Sequence, residues 1–521
     1  MNDSTNGTSV LPEQLYTSRQ VREGEVQAAK NCGVSLYELM QRAGQAVFDV
    51  LTKRYPRAKH VLVCCGKGNN GGDGYIVAAL CRQFGMPVSL WQIGDISELK
   101  GDAKQAMQAY LGIGGEITES CNEIPEGVEI IVDGLLGTGI QGEVRPPFNE
   151  VIETLNQASI PIISIDTPSG LDTDTGASLG SVIQADATVS FIGLKQGLVT
   201  GQAREHVGQL YFAGLGVNDS FNELVPAETL LSNPDWLSAI KPRIRHAHKG
   251  TSGKAVFIGG NEGLNGAIYL AAKGAARAGA GMLAVICHPE SAMPIRAQLP
   301  EAMTSVSKNT VSERLEWANV TCLGPGLGRD KWSEDLFSQC EAYCQAHQQS
   351  RVLDADALYW LAKMPEFTYS DQRIITPHPG EAATLLGESI ADIEADRFAA
   401  VVKLQKRYGG VVVLKGAGTL IRDNQITVVC HAGNPGMATG GMGDVLSGVI
   451  TALLAQGYSL RQSARLGPLI HSLAADECAS KRGEIGMLAS DLFVEIRYII
   501  NYHNTVIKDE SADVSQKPTS T

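Results

Sequence analysis

Three aspartates stand at the ends of apolar, strand-like runs in the first half of the chain. Asp73 closes Gly68-Asn69-Asn70-Gly71-Gly72-Asp73, just beyond the run Val61 to Cys65. Asp133 follows Glu129-Ile130-Ile131-Val132 and opens Gly134-Leu135-Leu136-Gly137-Thr138-Gly139. Asp166 follows Ile162-Ile163-Ser164-Ile165 and opens Thr167-Pro168-Ser169-Gly170. Carboxylates and carboxamides gathered this way form a set of oxygen donors. Such a set suits a hard cation or a polar, metal-free site, and does not suit zinc. A single residue of this kind has a plainer use, with Asp73 as a helix cap and Asn69 at a positive φ.

Gly66-Lys67-Gly68-Asn69-Asn70-Gly71 matches the spacing of the dinucleotide fingerprint. That fingerprint needs an acid ~20 residues further on, at the end of the second strand. Here the strand ends in Trp91-Gln92-Ile93 and Asp95 lies beyond it, which disfavours an ordinary dinucleotide-cofactor site.

The second half carries a different chemistry. Gly440-Gly441-Met442-Gly443-Asp444 precedes a long apolar run. Small residues leave backbone N–H groups bare at a helix N-terminus, where phosphate or developing negative charge is stabilised. A carboxylate there is costly beside an anion unless it takes a proton, so Asp444 is a candidate base for an attacking hydroxyl. Its alternative is an N-cap. Lys415-Gly416-Ala417-Gly418-Thr419 joins two strand-like runs and fits either a phosphate or adenine-ribose cradle or a solvated hairpin. No GxxxxGK[ST] sequence occurs. His378, held between Pro377 and Pro379, is a candidate ligand contact.

Positioning these groups requires strands that all deliver their loops to one edge. Residues 17–54 have helical periodicity broken near Asn31-Cys32-Gly33. A strand at Val61 to Cys65, a helix from Tyr75 to Phe84 and a strand at Val88 to Gln92 follow. Strands then alternate with helical patterns, which predicts a mostly parallel, doubly wound α/β sheet. The pattern breaks between Gly214 and Lys249, and a second α/β series begins, including a helix from Ala267 to Ala280. The halves share no repeating motif, so two different domains are expected: residues 1–224 and 225–507, with a disordered tail at 508–521.

Composition limits the partners. With 521 residues and a formal net charge of −13, the chain lacks the basic excess of a sequence-independent nucleic-acid surface or of a face for anionic membranes. The 57 glycines and few aromatics suit turns that approach small ligands closely. Eleven cysteines without zinc spacing read as reduced, mostly buried thiols. The N-terminal segment lacks a signal-peptide pattern, and the apolar run after Asp444 is shorter than the ~20 residues of a membrane span. That run reads as a buried helix. A cytoplasmic protein with no membrane partner is expected, as a homo-oligomer.

These motifs, in this order, resemble the bacterial bifunctional NAD(P)H-hydrate repair enzymes over nearly the whole chain. GNNGGDGY, VDGLLGTG, IDTPSGLDTDTG and FIGLKQGL carry the resemblance in the first half. HKGTSGKAVFIGG, GAIYLAAKGAARAGAG, LGPGLG, LDADAL, TPHPGEAATLLG, LKGAGT and GNPGMATGGMGDVLSG carry it in the second. The resemblance implies two three-layer domains, a Rossmann-like epimerase and a ribokinase-like dehydratase. The first would interconvert the R and S forms of hydrated NADH or NADPH. The second would restore the cofactor from the S form, using ADP, with magnesium as its expected companion.

By the same resemblance, Asn69, Asn70, Gly71, Gly72 and Asp73 would touch the hydrate, as would Gly137, Thr138, Gly139, Ile140, Gln141, Gly142 and Glu143. Asn70, Asp133 and Ser169 would hold a potassium ion, and Asp166 would act on the ring. Ala267, Gly326, His378 and Asp444 would contact the hydrate in the second half, with Lys415, Gly416, Ala417, Gly418, Thr419 and Gly443 on ADP. The family more often has a small apolar residue at the place of Thr167, a difference confined to local geometry. Two other readings remain open: a kinase of a small hydroxylated metabolite, and a first half that only binds.

Overall fold

The computed structural model describes residues 10–119, 123–140, 142–306 and 310–501; the expected tail at 508–521 lies outside them. The chain forms two compact units divided after Leu231.

In the first unit the strands Val61–Cys65, Val88–Gln92, Ile130–Gly134, Ile162–Ile165, Ala187–Phe191 and Gln209–Ala213 form one sheet. Every neighbouring pair is parallel. The second strand in sequence lies at one edge, beside the first, and the others follow on the far side of the first. The winding therefore reverses between Val61–Cys65 and Ile130–Gly134. In open α/β sheets ligands bind outside the carboxyl ends of the strands at such a reversal.

Alternation along the first strand explains the layers. Val61, Val63 and Cys65 join an apolar core that includes Val47, Tyr75 and Ala106. Leu62 and Cys64 face the other way, into a core with Ile152 and Leu155. Helices Leu36–Arg54, Asn69–Gln83 and Gly101–Gly112 cover one face, and Phe148–Gln157 covers the other. The helix Ser18–Asn31 starts at a capping box made by Thr17 and Gln20, and Asp174 accepts from the Ser18 backbone at 2.5 Å. The short strand Gln14–Tyr16 pairs in parallel with Leu194–Lys195 and antiparallel with Thr229–Leu231.

In the second unit the strands run Ala302–Ser305, Met282–Ile286, Lys254–Ile258, Val320–Leu323, Ser350–Leu353, Arg373–Ile375, Val411–Leu414, Thr419–Arg422 and Thr427–Cys430 across the sheet. Pairing is parallel as far as Val411–Leu414 and antiparallel for the last two. The apolar run after Asp444 is the helix Met442–Ala455, buried at every position from Val445 onward. Each fully buried Val, Leu or Ile there contributes roughly 1.5–3 kcal/mol. It crosses the helix Asn265–Arg277 so closely that a Cβ on Gly448 would lie 2.0 Å from the Ala271 carbonyl oxygen. Only glycine fits that crossing. No helix among the described residues is long and apolar enough to cross a membrane.

Candidate active sites

The helix expected from Tyr75 begins earlier, at Asn69. Asn69, Asn70, Gly71, Gly72 and Asp73 therefore form its first turns and not a loop. Packing is the reason: a Cβ on Gly71 would sit 2.0 Å from the Gly66 carbonyl oxygen, and one on Gly72 would collide with Met40. The helix can start tight against the end of its strand only because those positions are bare. Gly68 is the N-cap and no side chain caps it, so the capping role for Asp73 falls away, as does a positive φ for Asn69.

A cavity of about 540 Å³ opens at the winding reversal. Asn69, Asn70, Asp73, Gly137, Thr138, Gly139, Ile140 and Asp166 line it. Gly71 and Gly72 are buried and do not reach it, while Gly142 and Glu143 are exposed outside it. Gln141 lies outside the described residues.

Asp133 and Ser169 sit beneath the cavity floor, both fully buried. The Asp133 carboxylate accepts from Ser169 Oγ at 2.6 Å, Ser169 N at 2.9 Å, Ser164 Oγ at 2.8 Å and Leu135 N at 3.2 Å. Burial raises its pKa above the usual carboxylate range, and the Ser169 bonds oppose that. The Asn70 amide donates to the Leu136 carbonyl at 3.0 Å, and Ser169 Oγ lies 3.1 Å from the same oxygen. Asn70 and Ser169 thus share the Leu136 carbonyl, and Asp133 is joined to them through Ser169.

Asp166 has φ +63°, an uncommon conformation for a residue with a side chain. Its Oδ1 accepts from Lys195 Nζ at 2.5 Å and from Ser190 Oγ and Phe191 N at 3.2 Å each. Lys195 is almost wholly buried. Asp73 makes no hydrogen bond through its carboxylate among the described residues. Its pKa is driven well above the usual range by burial first, then by Asp166 and Glu25. The Thr167 hydroxyl is buried and donates to the Pro168 carbonyl at 3.4 Å, away from the cavity lining.

In the second unit, loops at the carboxyl ends of parallel strands again converge. Lys415 follows Val411–Leu414, and its backbone N–H donates to the Pro377 carbonyl at 2.8 Å, beside His378. Its ammonium pairs with Asp354 at 2.8 Å and lies 3.7 Å from Glu381. Asp354 also accepts from Ser447 Oγ at 2.5 Å. Burial works to lower the Lys415 pKa, but Asp354 and Glu381 outweigh it and the net shift is upward. A Cβ on Gly443 would lie 3.1 Å from Lys415 Nζ, so this glycine lets the helix N-terminus meet the ammonium.

Asp444 is in the first turn of that helix, whose N-cap is Gly441 at φ +90°. The capping alternative is therefore excluded. Its carboxylate has no hydrogen-bond partner among the described residues, and its pKa is pushed up to about 7. Burial is the main cause; Asp354 adds to it and Lys415 works against it. A carboxylate poised there can take a proton near neutral pH.

His378 is the N-cap of the helix Pro379–Leu386, its Nδ1 accepting from Gly380 N at 3.0 Å and Glu381 N at 3.3 Å. Burial first, then the Lys415 charge, lowers its pKa. Ala267 and Gly326 stand together: a Cβ on Gly326 would be 3.2 Å from that of Ala267. Gly416 and Gly418 take positive φ, and Thr419 Oγ1 donates to the Gly416 carbonyl at 3.2 Å, closing the Lys415–Thr419 turn.

Two family matches divide the chain in the same way: "YjeF-related protein N-terminus" over residues 36–197 and "NAD(P)H-hydrate dehydratase" over residues 255–497. The bifunctional NAD(P)H-hydrate repair enzyme Nnr of Vibrio cholerae is 48% identical, covering 94% of this chain and 99% of that protein. The chain belongs to the family of bifunctional NAD(P)H-hydrate repair enzymes. The Escherichia coli member of this family is 45% identical across 94% of this chain and 95% of its own length. Among solved structures, an ADP/ATP-dependent NAD(P)H-hydrate dehydratase from Bacillus subtilis, co-crystallised with ATP/Mg2+, is 25% identical with a TM-score of 0.47. That likeness covers 52% of this chain and 97% of the other.

Reasoning from the sequence assigned no role to Glu25, Lys195, Asp354, Glu381 or Ser447. For Asp354 the signal was present: Val352-Leu353-Asp354 is a short apolar stretch ending in an aspartate, like the longer ones at Asp133 and Asp166. Glu25 gave none, being one charge on an amphipathic helix.

Proposed function

We propose that the first unit interconverts the R and S hydrates of NADH and NADPH. On the same reading, the second dehydrates the S form with ADP, releasing AMP and phosphate. On this reading the epimerase domain is residues 1–224 and the dehydratase domain 225–507, a boundary seven residues before the division of the units after Leu231. The observation that carries the second assignment is Asp444, an unpartnered carboxylate with a pKa near 7 in the first turn of a helix whose N-terminal backbone is bare. Asp444 takes the proton of the substrate hydroxyl, whose oxygen attacks the terminal phosphorus of ADP. The resulting phosphate ester leaves as phosphate when the ring nitrogen's electron pair expels it, and loss of a proton from the neighbouring ring carbon then re-forms the double bond and returns the pair to nitrogen. Ala267, Gly326 and His378 face the hydrate. The Lys415–Thr419 turn and Gly443 hold ADP through their backbone, because the Lys415 ammonium is already paired with Asp354. Magnesium, when bound, screens the charge of the ADP phosphates.

Asn70, Asp133 and Ser169 fit a potassium ion by their chemistry. They offer oxygen donors only, and Asp133 is a fully buried carboxylate with no basic partner among the described residues. A monovalent cation would supply the missing positive charge and fix the loop that carries Gly137 to Ile140. Asp166 acts on the hydrated ring as acid/base. The ten described cysteines form no disulfide with one another, which goes with a reducing, cytoplasmic setting.

The test is to give the full chain a mixed R and S hydrate with ADP and follow the return of reduced cofactor. One sustained phase is expected, with ADP a better co-substrate than ATP. A stable phosphorylated product without restored cofactor would instead identify a metabolite kinase.

A further inference from the structure

Two carboxylates that line the first cavity, Glu25 and Asp102, are left without work by the assignments above, and Glu25 is the one that feels the charges of Lys195 and Asp166. It stands in the middle of the helix Ser18–Asn31 and lines the cavity that Asp166 also lines. Among the described residues its carboxylate makes no hydrogen bond and no ion pair. The helix that carries it is fixed at its start by the Thr17 capping box and by Asp174, which accepts from both the Ser18 backbone and the Ser18 hydroxyl. Further along, Gly24 packs so tightly that a Cβ there would lie 2.6 Å from the Phe221 ring. The position of Glu25 is therefore built.

Asp166 is arranged oppositely. One of its oxygens is taken by Lys195, Ser190 and the Phe191 backbone, and the ion pair with Lys195 is buried. Of the carboxylates that line the cavity, Asp166 is thus locked to a buried cation, while Glu25, like Asp73, has no hydrogen-bond partner among the described residues.

We infer that Glu25 is a second proton-transfer group of the epimerase, acting as the acid to Asp166's base. This rests on the epimerase reading of the first unit. Hydration places the hydroxyl on the ring carbon next to nitrogen, because that carbon alone becomes an iminium when the neighbouring double bond takes up a proton. Glu25 gives its proton to the hydroxyl, the C–O bond breaks, and the ring nitrogen's electron pair forms the C=N bond as water leaves. A second water adds to the opposite face, its proton passing to Asp166 while the pair returns to nitrogen. The epimer differs only at that carbon. The carboxyl groups have exchanged protonation states, which is the starting point for the reverse conversion, and solvent resets them.

The charged groups facing Glu25 are Arg22 on its own helix, Asp73 on Asn69–Gln83, and the Asp166–Lys195 pair. Burial is the largest influence and raises the Glu25 pKa, with Lys195 opposing and Asp166 adding to the rise. A raised pKa favours the protonated acid. Because the acid form is the working one, epimerisation must fall as pH rises through the Glu25 pKa.

The test follows R-to-S conversion of purified R hydrate by chromatography in the full-length Glu25→Gln protein across pH. Dehydration of pure S hydrate serves as the control for folding. Expected is a loss of at least roughly tenfold in epimerisation with dehydration unchanged, disappearance of the falling alkaline limb, and partial recovery in Glu25→Asp. Epimerisation within twofold of the parent, with the alkaline limb intact, overturns the role of Glu25. A parent protein that does not epimerise at all overturns the underlying reading as well. An inactive Glu25→Gln beside a fully active Asp166→Asn would keep Glu25 and remove Asp166.

Discussion

The two units solve one electrostatic problem in opposite ways. Each brings a largely buried lysine to the carboxyl edge of a parallel sheet and pairs it with an aspartate: Lys195 with Asp166 at 2.5 Å, Lys415 with Asp354 at 2.8 Å. In the first unit the paired aspartate lines the cavity. In the second the lysine pairs with an aspartate that also accepts from Ser447, and Asp444 is left alone at a helix N-terminus. Burial then drives Asp444 up to about 7. What a strand-end carboxylate can do is thus decided by which carboxylate receives the lysine.

The most severe way to break this comparison is Asp444→Asn. Dehydration of the S hydrate should drop by at least ~10²-fold while epimerisation and the fold persist. In the parent, dehydration should rise with pH through about 7, because the base works only when ionised. Near-normal turnover of the variant in a steady-state assay would remove Asp444 from the chemistry.

Asp166→Ala should do less to the whole reaction, since a mixed hydrate already contains the S form. Expected is a fast phase followed by a slow one, with epimerisation lowered by roughly tenfold or more. A single undiminished phase in the progress curve would show that the paired aspartate is not the acid/base group.

Asp354→Asn should give the smallest effect and the sharpest one. Asp354 is the second largest influence raising the Asp444 pKa, after burial. Removing its charge should move the rising limb of the dehydration profile to lower pH, with less than roughly tenfold change in rate at any pH. A limb that stays in place or moves to higher pH would mean that Asp354 does not tune Asp444.

Much of this arrangement was legible in the residues themselves. Strands Val61–Cys65 and Val88–Gln92 stand where short apolar runs and turn residues put them, and Ser18–Asn31 and Leu36–Arg54 break at Asn31-Cys32-Gly33 as their periodicity requires. The buried helix after Asp444 was announced by its composition. The start of the helix at Asn69 was hidden, because four glycines in seven residues argue for a loop unless the neighbouring backbone is known. The lysine pairings were hidden for a related reason. Lys415 and Asp354 are 61 positions apart, and nothing in either segment states that the sheet makes them neighbours. Glu25 was illegible because a charge on an amphipathic helix is usually solvated, and only the fold turns this one toward a cavity.

The glycines of the Gly66–Gly74 segment give that stretch a double meaning. At Gly66 and Gly71 a single added methyl would sit 1.8 Å and 2.0 Å from carbonyl oxygens of the chain's own backbone. Their constraint is architectural, whereas Asn69, Asn70 and Asp73 line the cavity and, on the proposed function, are held by its chemistry. Selection for folding alone would preserve the first set even in a descendant that no longer handled this substrate, and would let the second drift. A lineage could therefore keep the spacing of this signature long after losing the activity, and its carboxamides and carboxylate, not its glycines, would date the loss.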